Sequence, residues 1–596
     1  MRIFVTALER LAAADGTRAS RGESFAAALF AFLLSATILL LYLVEHNYGR
    51  DLWPAYPLSD AAVYLHNAWY MAFVERAGGD TGALLDFSPY TALLAFAFSI
   101  TGSTYWTPFA VNGLLYALAC SFVTAATSNM YGLRAALVVA VLFALCANIV
   151  YFFGVTVKTA LPVFLTALAL WALSLLEQGR CRWEVHLLAF LAFLAILVAA
   201  LERHHLVAPA AVMLVSTCLH PVHAGSALKR LQPLLAFALA LMVVALISTA
   251  TADDTEATFY SPPGLNYYAG NQPDAEGGYT PVEGLGDTIV HHRTEAYQRA
   301  HDAGYVTAFA ANLYWLERSM GYAQSEPGKF ALLQLKKVRA LASPYTFDSP
   351  ENVLIAKARS TVMQLAIVDF GVVLAAALGA ISIGRLRRDP FARTLLFSSA
   401  AFAAALVVFF VAERYRITLL VFLLPLAAAT LDHLSRRPTA HPVAIATVLG
   451  AWIATWLAFA SMPAGSGWSD APNELVAREA DERVRMRSVH DIMATYGRDT
   501  DAREYERLAS HLARHGFAED ARRIAWDGAE QWPYRHEPYE ALRALARRTH
   551  DCTLARDTVE WLREHRTTAD APTFGDRLIL TQERLEQWLA TCDSAD

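Results

Sequence analysis

Charge is what this sequence has least of. Only 17% of its 596 residues are Asp, Glu, Lys or Arg, against roughly 25% in a soluble globular chain. That scarcity excludes a disordered chain, a coiled coil and a nucleic-acid binder with a basic surface. Lysine is absent from residues 461–596, and no small-x-small cleavage site follows the first apolar segment. That segment therefore reads as a retained signal anchor. What the chain does have is apolar: 55% of its residues are hydrophobic, with mean hydropathy +0.31. The net charge of −6 divides unevenly, with 26 acidic and 19 basic residues in 461–596 and 29 and 30 before it. The first 460 residues form the apolar part, and the last 136 read as a water-soluble domain. This is the pattern of a polytopic membrane protein with a soluble tail.

A helix needs about 20 apolar residues to cross roughly 30 Å of hydrocarbon. Eleven stretches are expected to span: 25–44, 105–127, 135–153, 159–176, 185–201, 206–220, 231–250, 363–383, 394–412, 416–432 and 442–460. The run Tyr90 to Thr101 is about 12 residues long and reads as interfacial. With the N-terminal segment 1–24 in the cytoplasm, the inner connections carry Arg134, Arg180, Arg182, Lys229, Arg230, Arg385, Arg387, Arg388, Arg393, Arg436 and Arg437. This obeys the positive-inside rule, which a twelfth span at 90–101 would violate. The membrane part is thus 25–460, with outer loops at about 45–104 and 251–362 and an extracytoplasmic tail at 461–596.

In the tail, residues 504–533 resemble a tetratricopeptide-type helical hairpin, with Leu508, Leu512, Gly516, Ala521, Ala525 and Pro533 at its packing positions. A second copy places Ala555 34 residues after Ala521, with His550 in place of the turn glycine. A small helical domain of this kind suits a protein partner, and no catalytic constellation stands in it. Cys120, Cys146 and Cys218 lie in spans and Cys181 at an inner loop. Cys552 and Cys592 in the tail are either a disulfide or two separate thiols.

Ionisable residues at the outer membrane level without a topogenic reason are the informative ones. The first outer loop supplies Asp60 and Tyr64, followed by His66 and Asn67. Lys158 enters the fourth span, Glu202-Arg203-His204-His205 turns between spans five and six, and Glu413-Arg414-Tyr415-Arg416 between spans nine and ten. A carboxylate and fixed cations in one layer suit transfer of a sugar from a polyprenyl phosphate to an acceptor hydroxyl. Such a transfer needs a base for the acceptor's proton and cations for the phosphate leaving group. Asp60 is the candidate base, and Lys158, Arg203, Arg414 and Arg416 are the candidate phosphate ligands, supported by Tyr64, Glu202 and Tyr415.

Over residues 25–460 the chain resembles the GT-C glycosyltransferases, specifically bacterial relatives of the protein O-mannosyltransferases and the lipid A aminoarabinose transferase. The resemblance rests on Asp60 with Tyr64, the short interfacial helix, Gly154 to Lys158, and the Arg414-Tyr415-Arg416 triplet. It rests also on the segment Asn266 to Gly278, which looks like a Gly-Asn-x-Pro element of the large outer loop. It implies an all-α GT-C-like fold, a polyprenyl-phosphate-linked sugar donor and an inverting single displacement with Asp60 as base; no cofactor is expected, and dependence on a metal is not implied. Asn266 and Asn271 would then line the acceptor side. Two departures stand out. Ala61 follows Asp60 where protein mannosyltransferases carry glutamate, and no Trp-Trp-Asp-Tyr-Gly sequence is present, against the oligosaccharyltransferase branch. The expected place is the cytoplasmic (inner) membrane, among membrane lipids, with a protein, lipid or glycan as acceptor and no nucleic acid.

Each residue has a plainer reading too. Asp60 would serve as a helix cap, Arg414 and Arg416 as interfacial anchors, Lys158 as an interface marker, and Glu202 to His205 as an ion-paired turn. Asp274 and Glu276 lack EF-hand spacing for calcium. Asp369, just inside the eighth span, faces either the bundle or the interface. Against the enzyme stand two other classes, a transporter or flippase of lipid-linked saccharides and a non-catalytic envelope assembly protein. A transporter should show related halves and broken helices at the midplane.

Overall fold

A computed structural model of the chain describes residues 19–48, 88–101, 106–155, 157–177, 182–219, 227–250, 263–280, 282–285, 289–345, 353–436, 441–461, 518–531, 537–565 and 581–590, with the single positions 64, 68, 71, 72, 506, 509, 510 and 513. Among these residues there is no β-strand; the protein is all-α. Two compact units are present, one drawn mainly from residues 1–473 and the other mainly from 474–596.

The first unit begins with α1 (Arg21–Tyr48), α2 (Pro89–Thr101), α3 (Trp106–Tyr131), α4 (Leu133–Ala144), α5 (Ala147–Gly154) and α6 (Ala160–Leu176). It continues with α7 (Arg182–Glu202), α8 (Val207–Leu219) and α9 (Ala227–Ala250). The large loop holds α10 (Pro263–Gly270), α11 (Ile289–Asp302), α12 (Ala308–Ser325), α13 (Pro327–Ala342) and α14 (Val353–Arg359). The chain then returns through α15 (Thr361–Leu365), α16 (Phe370–Ser382), α17 (Gly384–Arg388), α18 (Pro390–Val408), α19 (Glu413–Arg436) and α20 (Pro442–Ala460). Helices are what apolar segments must form where no water is present to satisfy the backbone. Start signals are local: Asp389 precedes Pro390, and its carboxylate accepts the Ala392 amide at 2.8 Å.

Among the described residues, five helices are long and apolar enough to cross a membrane: Arg21–Glu45, Trp106–Tyr131, Pro390–Val408, Glu413–Arg436 and Pro442–Ala460. Of the other six expected spans, 159–176 and 206–220 fall on the shorter α6 and α8, 185–201 and 231–250 on α7 and α9, and 135–153 and 363–383 on interrupted helices; the count of eleven remains an expectation. α2 has 13 residues, with Tyr90, Leu94 and Phe98 buried and Phe96 and Ile100 exposed, too short to span.

Two expected spans are broken. The stretch 135–153 divides into α4 and α5 at Leu145-Cys146, and 363–383 divides into α15 and α16. The two breaks face each other. Cys146 and Val368 form a parallel bridge, in which Ala147 N donates to Val368 O at 2.8 Å and Val368 N to Leu145 O at 3.2 Å. Asp369 closes the second break by accepting the Val372 amide at 2.9 Å as the N-cap of α16. Backbone groups freed by each interruption are thus satisfied by the other, which is what makes a break tolerable in an apolar interior.

The second unit contains α21 (Ala518–Gln531), α22 (Glu537–Thr549) and α23 (Cys552–His565). Ala521 and Ala555, the expected 34-residue pair, are both fully buried. His550 adopts φ 53, the left-handed conformation usually given to glycine. The Asp551 amide then reaches back to Ala546 O at 2.9 Å, closing a Schellman-type end on α22. Of the two readings of Cys552, the structure holds the disulfide, to a cysteine outside the described residues.

Candidate functional site

Asp60, the expected base, lies outside the described residues. Tyr64, four positions on, is buried; it stands edge-on to Tyr90 with ring centroids 6.2 Å apart. Lys158 places its ammonium 5.5 Å from the Tyr64 ring centroid and 4.0 Å from the Glu202 carboxylate. That carboxylate is buried and also accepts the Tyr90 amide at the start of α2. The Tyr90 hydroxyl donates to Asn112, whose own amide donates to Val155 O at 3.0 Å. First-loop, fourth-span and fifth-span residues thereby meet at one end of the bundle, as the sequence layer requires.

Arg203 extends between α7 and the single 3₁₀ turn His204–Leu206 (φ −141°). It is 8% exposed, yet its guanidinium makes one hydrogen bond, from Nη2 to Thr159 Oγ1 at 3.0 Å. Nε has no hydrogen-bond partner, and no carboxylate pairs with Arg203 among the described residues. A guanidinium carries five donors and an obligate charge, so most of its capacity is unspent in a buried place. It lies over the Tyr415 ring at 4.4 Å from the centroid, and Arg414 lies 5.5 Å from the same centroid. The Tyr415 ring thus has two guanidinium groups in cation–π contact.

The imidazole of His205 is enclosed by Phe409, Tyr415 and Phe402, with centroids 5.1, 5.4 and 6.3 Å away. Both of its ring nitrogens are buried, and neither has a hydrogen-bond partner. Buried polar atoms are almost always paired, so such exceptions call for an explanation.

Arg416 is placed differently from its neighbour. It is fully buried, pairs with Glu413, and donates to Ala340 O, Leu341 O and Ser343 O at the end of α13. Glu413 in turn accepts from Asn148 on α5. Arg416 thus holds the end of a loop helix against α19, with its expected phosphate contact replaced by carbonyls and a carboxylate.

The Asn266 to Gly278 segment is tied to α18. Asn266 is partly exposed on α10. Asn271 is fully buried; its Nδ2 donates to Tyr267 O and Val408 O at 2.9 Å and to Phe409 O at 3.3 Å. Its Oδ1 accepts from Gln334 at 3.0 Å and from the Lys337 ammonium at 2.7 Å. Lys337 also donates to Phe409 O at 2.7 Å. Burial pushes that ammonium down from 10.5 to about 7. Gly270 is required here, because a Cβ would lie 2.2 Å from Phe409 O. The Asn271 amide is therefore a clasp that fixes Phe409, one of the rings against His205.

Sequence reasoning singled out Lys158, Arg203, Tyr415 and Arg414, which the structure brings together, and Asn271, which reaches them through Phe409. It missed Thr159, Asn148, Lys337 and the role of His205. Lys337 was visible: Leu333, Lys337 and Ala340 lie on one buried stripe of α13, a lysine where the helical period calls for an apolar residue. Among the described residues no group of His, Cys, Asp or Glu is placed to hold a metal ion.

No family model and no curated protein matches the chain. Among solved structures it is similar to the Archaeoglobus fulgidus oligosaccharyltransferase in the apo form, at 14% identity over 82% of this chain and 58% of that one, with a TM-score of 0.43. It is also similar to that oligosaccharyltransferase tethered by a disulfide bond to an acceptor peptide containing the NVT sequon: 15% identity, 76% and 55% covered, TM-score 0.38. The chain spans 55–58% of the length of the chains it is compared with.

Proposed function

We propose that this protein is an integral membrane glycosyltransferase that transfers a sugar from a polyprenyl-phosphate donor to an acceptor hydroxyl at the outer face of the cytoplasmic membrane. The acceptor oxygen attacks the anomeric carbon as the carbon–oxygen bond to phosphate breaks. Asp60 takes the acceptor's proton, and polyprenyl phosphate leaves. Arg203 binds the phosphate, with Arg414 and Lys158 beside it; the buried Glu413–Arg416 pair serves the architecture instead. One observation carries this reading: a buried guanidinium with a single hydrogen bond and no ion pair among the described residues. A doubly charged leaving group supplies what Arg203 lacks.

The test is sugar transfer by the purified protein with a synthetic prenyl-phosphate sugar. Asp60→Asn should abolish transfer while leaving donor affinity intact; full activity in a folded Asp60→Asn protein would end the assignment of the base. Arg203→Ala should weaken donor binding about 10- to 100-fold, the worth of a charge-assisted contact. Unchanged affinity in that variant would remove the phosphate site.

A further inference from the structure

Phosphate binding does not employ the His205 imidazole. A neutral imidazole offers one donor and one acceptor. Here both nitrogens are buried without partners, two residues from Arg203 and against the rings of Phe409, Tyr415 and Phe402. Phosphate oxygens accept only, so an anion fills half of that capacity. A hydroxyl, both donor and acceptor, fits either nitrogen, and aromatic faces around it suit the apolar C–H face of a sugar ring better than solvent.

We propose that His205 is the sugar-binding residue of the donor site: it hydrogen-bonds a hydroxyl of the transferred sugar while Arg203 holds the adjoining phosphate. The proposal rests on the glycosyltransferase reading above and assigns its substrate contact. Of the rings against the imidazole, Phe402 is buried while Phe409 and Tyr415 are partly exposed; the Phe409 backbone is held by Asn271 and Lys337, and Tyr415 already bears Arg203 and Arg414. Rotation of that side chain uncovers the imidazole beside the cations. The open nitrogens are then a cost of the ligand-free state, relieved when the sugar enters.

The experiment compares binding of farnesyl phosphate with that of farnesyl phosphate bearing each of several hexoses and pentoses, using the full-length protein in detergent. Wild type should bind at least one glycosyl form roughly tenfold or more tightly than farnesyl phosphate itself. His205→Phe should reduce that form to the affinity of the sugar-free lipid and leave the sugar-free affinity unchanged; His205→Gln, which keeps a donor and an acceptor, should recover part of the difference. The ligand-free unfolding temperature of His205→Phe should be equal to or above that of wild type, because an unpartnered polar ring is replaced by an apolar one. A marked fall would mean that His205 is structural, and would overturn the proposal. So would an equal loss for both lipids, or no loss for either. If wild type binds farnesyl phosphate but no glycosyl form more tightly, the sugar contact fails and the phosphate site stands. If it binds none of these lipids, the glycosyltransferase reading fails first, and this inference with it.

Discussion

Lys337 offers a measurable link between the outer loop and the bundle. Its ammonium is fully buried, and the acceptors within 3.5 Å are neutral: Asn271 Oδ1, Phe409 O and Val408 O. Glu276, a nearby carboxylate, pairs with Lys336 instead, at 2.7 Å. Burial brings the lysine down from 10.5 to about 7, so between those values the unfolded chain binds the extra proton. Stability must therefore rise as pH rises from about 7 to about 10.5, and be flat below. The shift is equivalent to on the order of 5 kcal/mol, an upper bound because the three oxygens favour the charged form. Lys337→Met removes the titration. Its other consequences are limited, because Asn271 Oδ1 keeps Gln334, and both carbonyls keep Asn271 Nδ2. Thermal unfolding in detergent across pH 6 to 10.5 should show wild type gaining on Lys337→Met with rising pH. At roughly 2 °C per kcal/mol for a body of this size, the gap widens by up to about 10 °C. Parallel profiles for the two proteins would refute the reasoning and mean that Lys337 stays charged throughout.

Glu413→Ala should destabilise the bundle by about 3–5 kcal/mol, since it strands the Arg416 charge in the interior; Glu413→Leu with Arg416→Leu should recover much of that loss, read as unfolding temperature in the same detergent. His550→Gly should stabilise α22 by about 1 kcal/mol by relieving left-handed strain, seen as slower hydrogen exchange in residues 537–549 of the full chain. No gain there would mean that the His550 side chain contributes contacts worth as much as the strain it imposes.

Helix placement was legible because apolarity is a property of each segment by itself. The expected 442–460 and 105–127 correspond to Pro442–Ala460 and Trp106–Tyr131. The breaks were not legible. Asp369 is a local start signal for α16, but nothing in either segment announces that each interruption is stabilised by a backbone partner more than 200 residues away. The layer of charges follows from the expected topology, which sets 158, 203 and 414 at one level. That Arg416 is spent on Glu413 and on backbone carbonyls at the end of α13 was not legible, because nothing in the sequence separates it from Arg414. Asn271 reads locally as a turn residue, and only the packing of α13 and α18 around it makes its amide a clasp.

The broken helices bear on the rival reading as a carrier. Expected carriers use interrupted helices to turn freed backbone groups toward a ligand, and this bundle has two interruptions facing one another. Their freed groups are consumed: Ala147 N and Leu145 O by Val368, and the Val372 amide by Asp369. Asn148 and Arg416 beside them close on Glu413. The freed backbone groups of the breaks are already taken by protein, whereas Arg203 and His205 keep buried nitrogens without hydrogen-bond partners among the described residues. The turn after α7 and the Tyr415 ring are thus a stronger candidate for a ligand site than the backbone of the two breaks. A carrier pathway would require the Cys146–Val368 bridge to open, and slow, transport-independent hydrogen exchange at Ala147 and Val368 would exclude it.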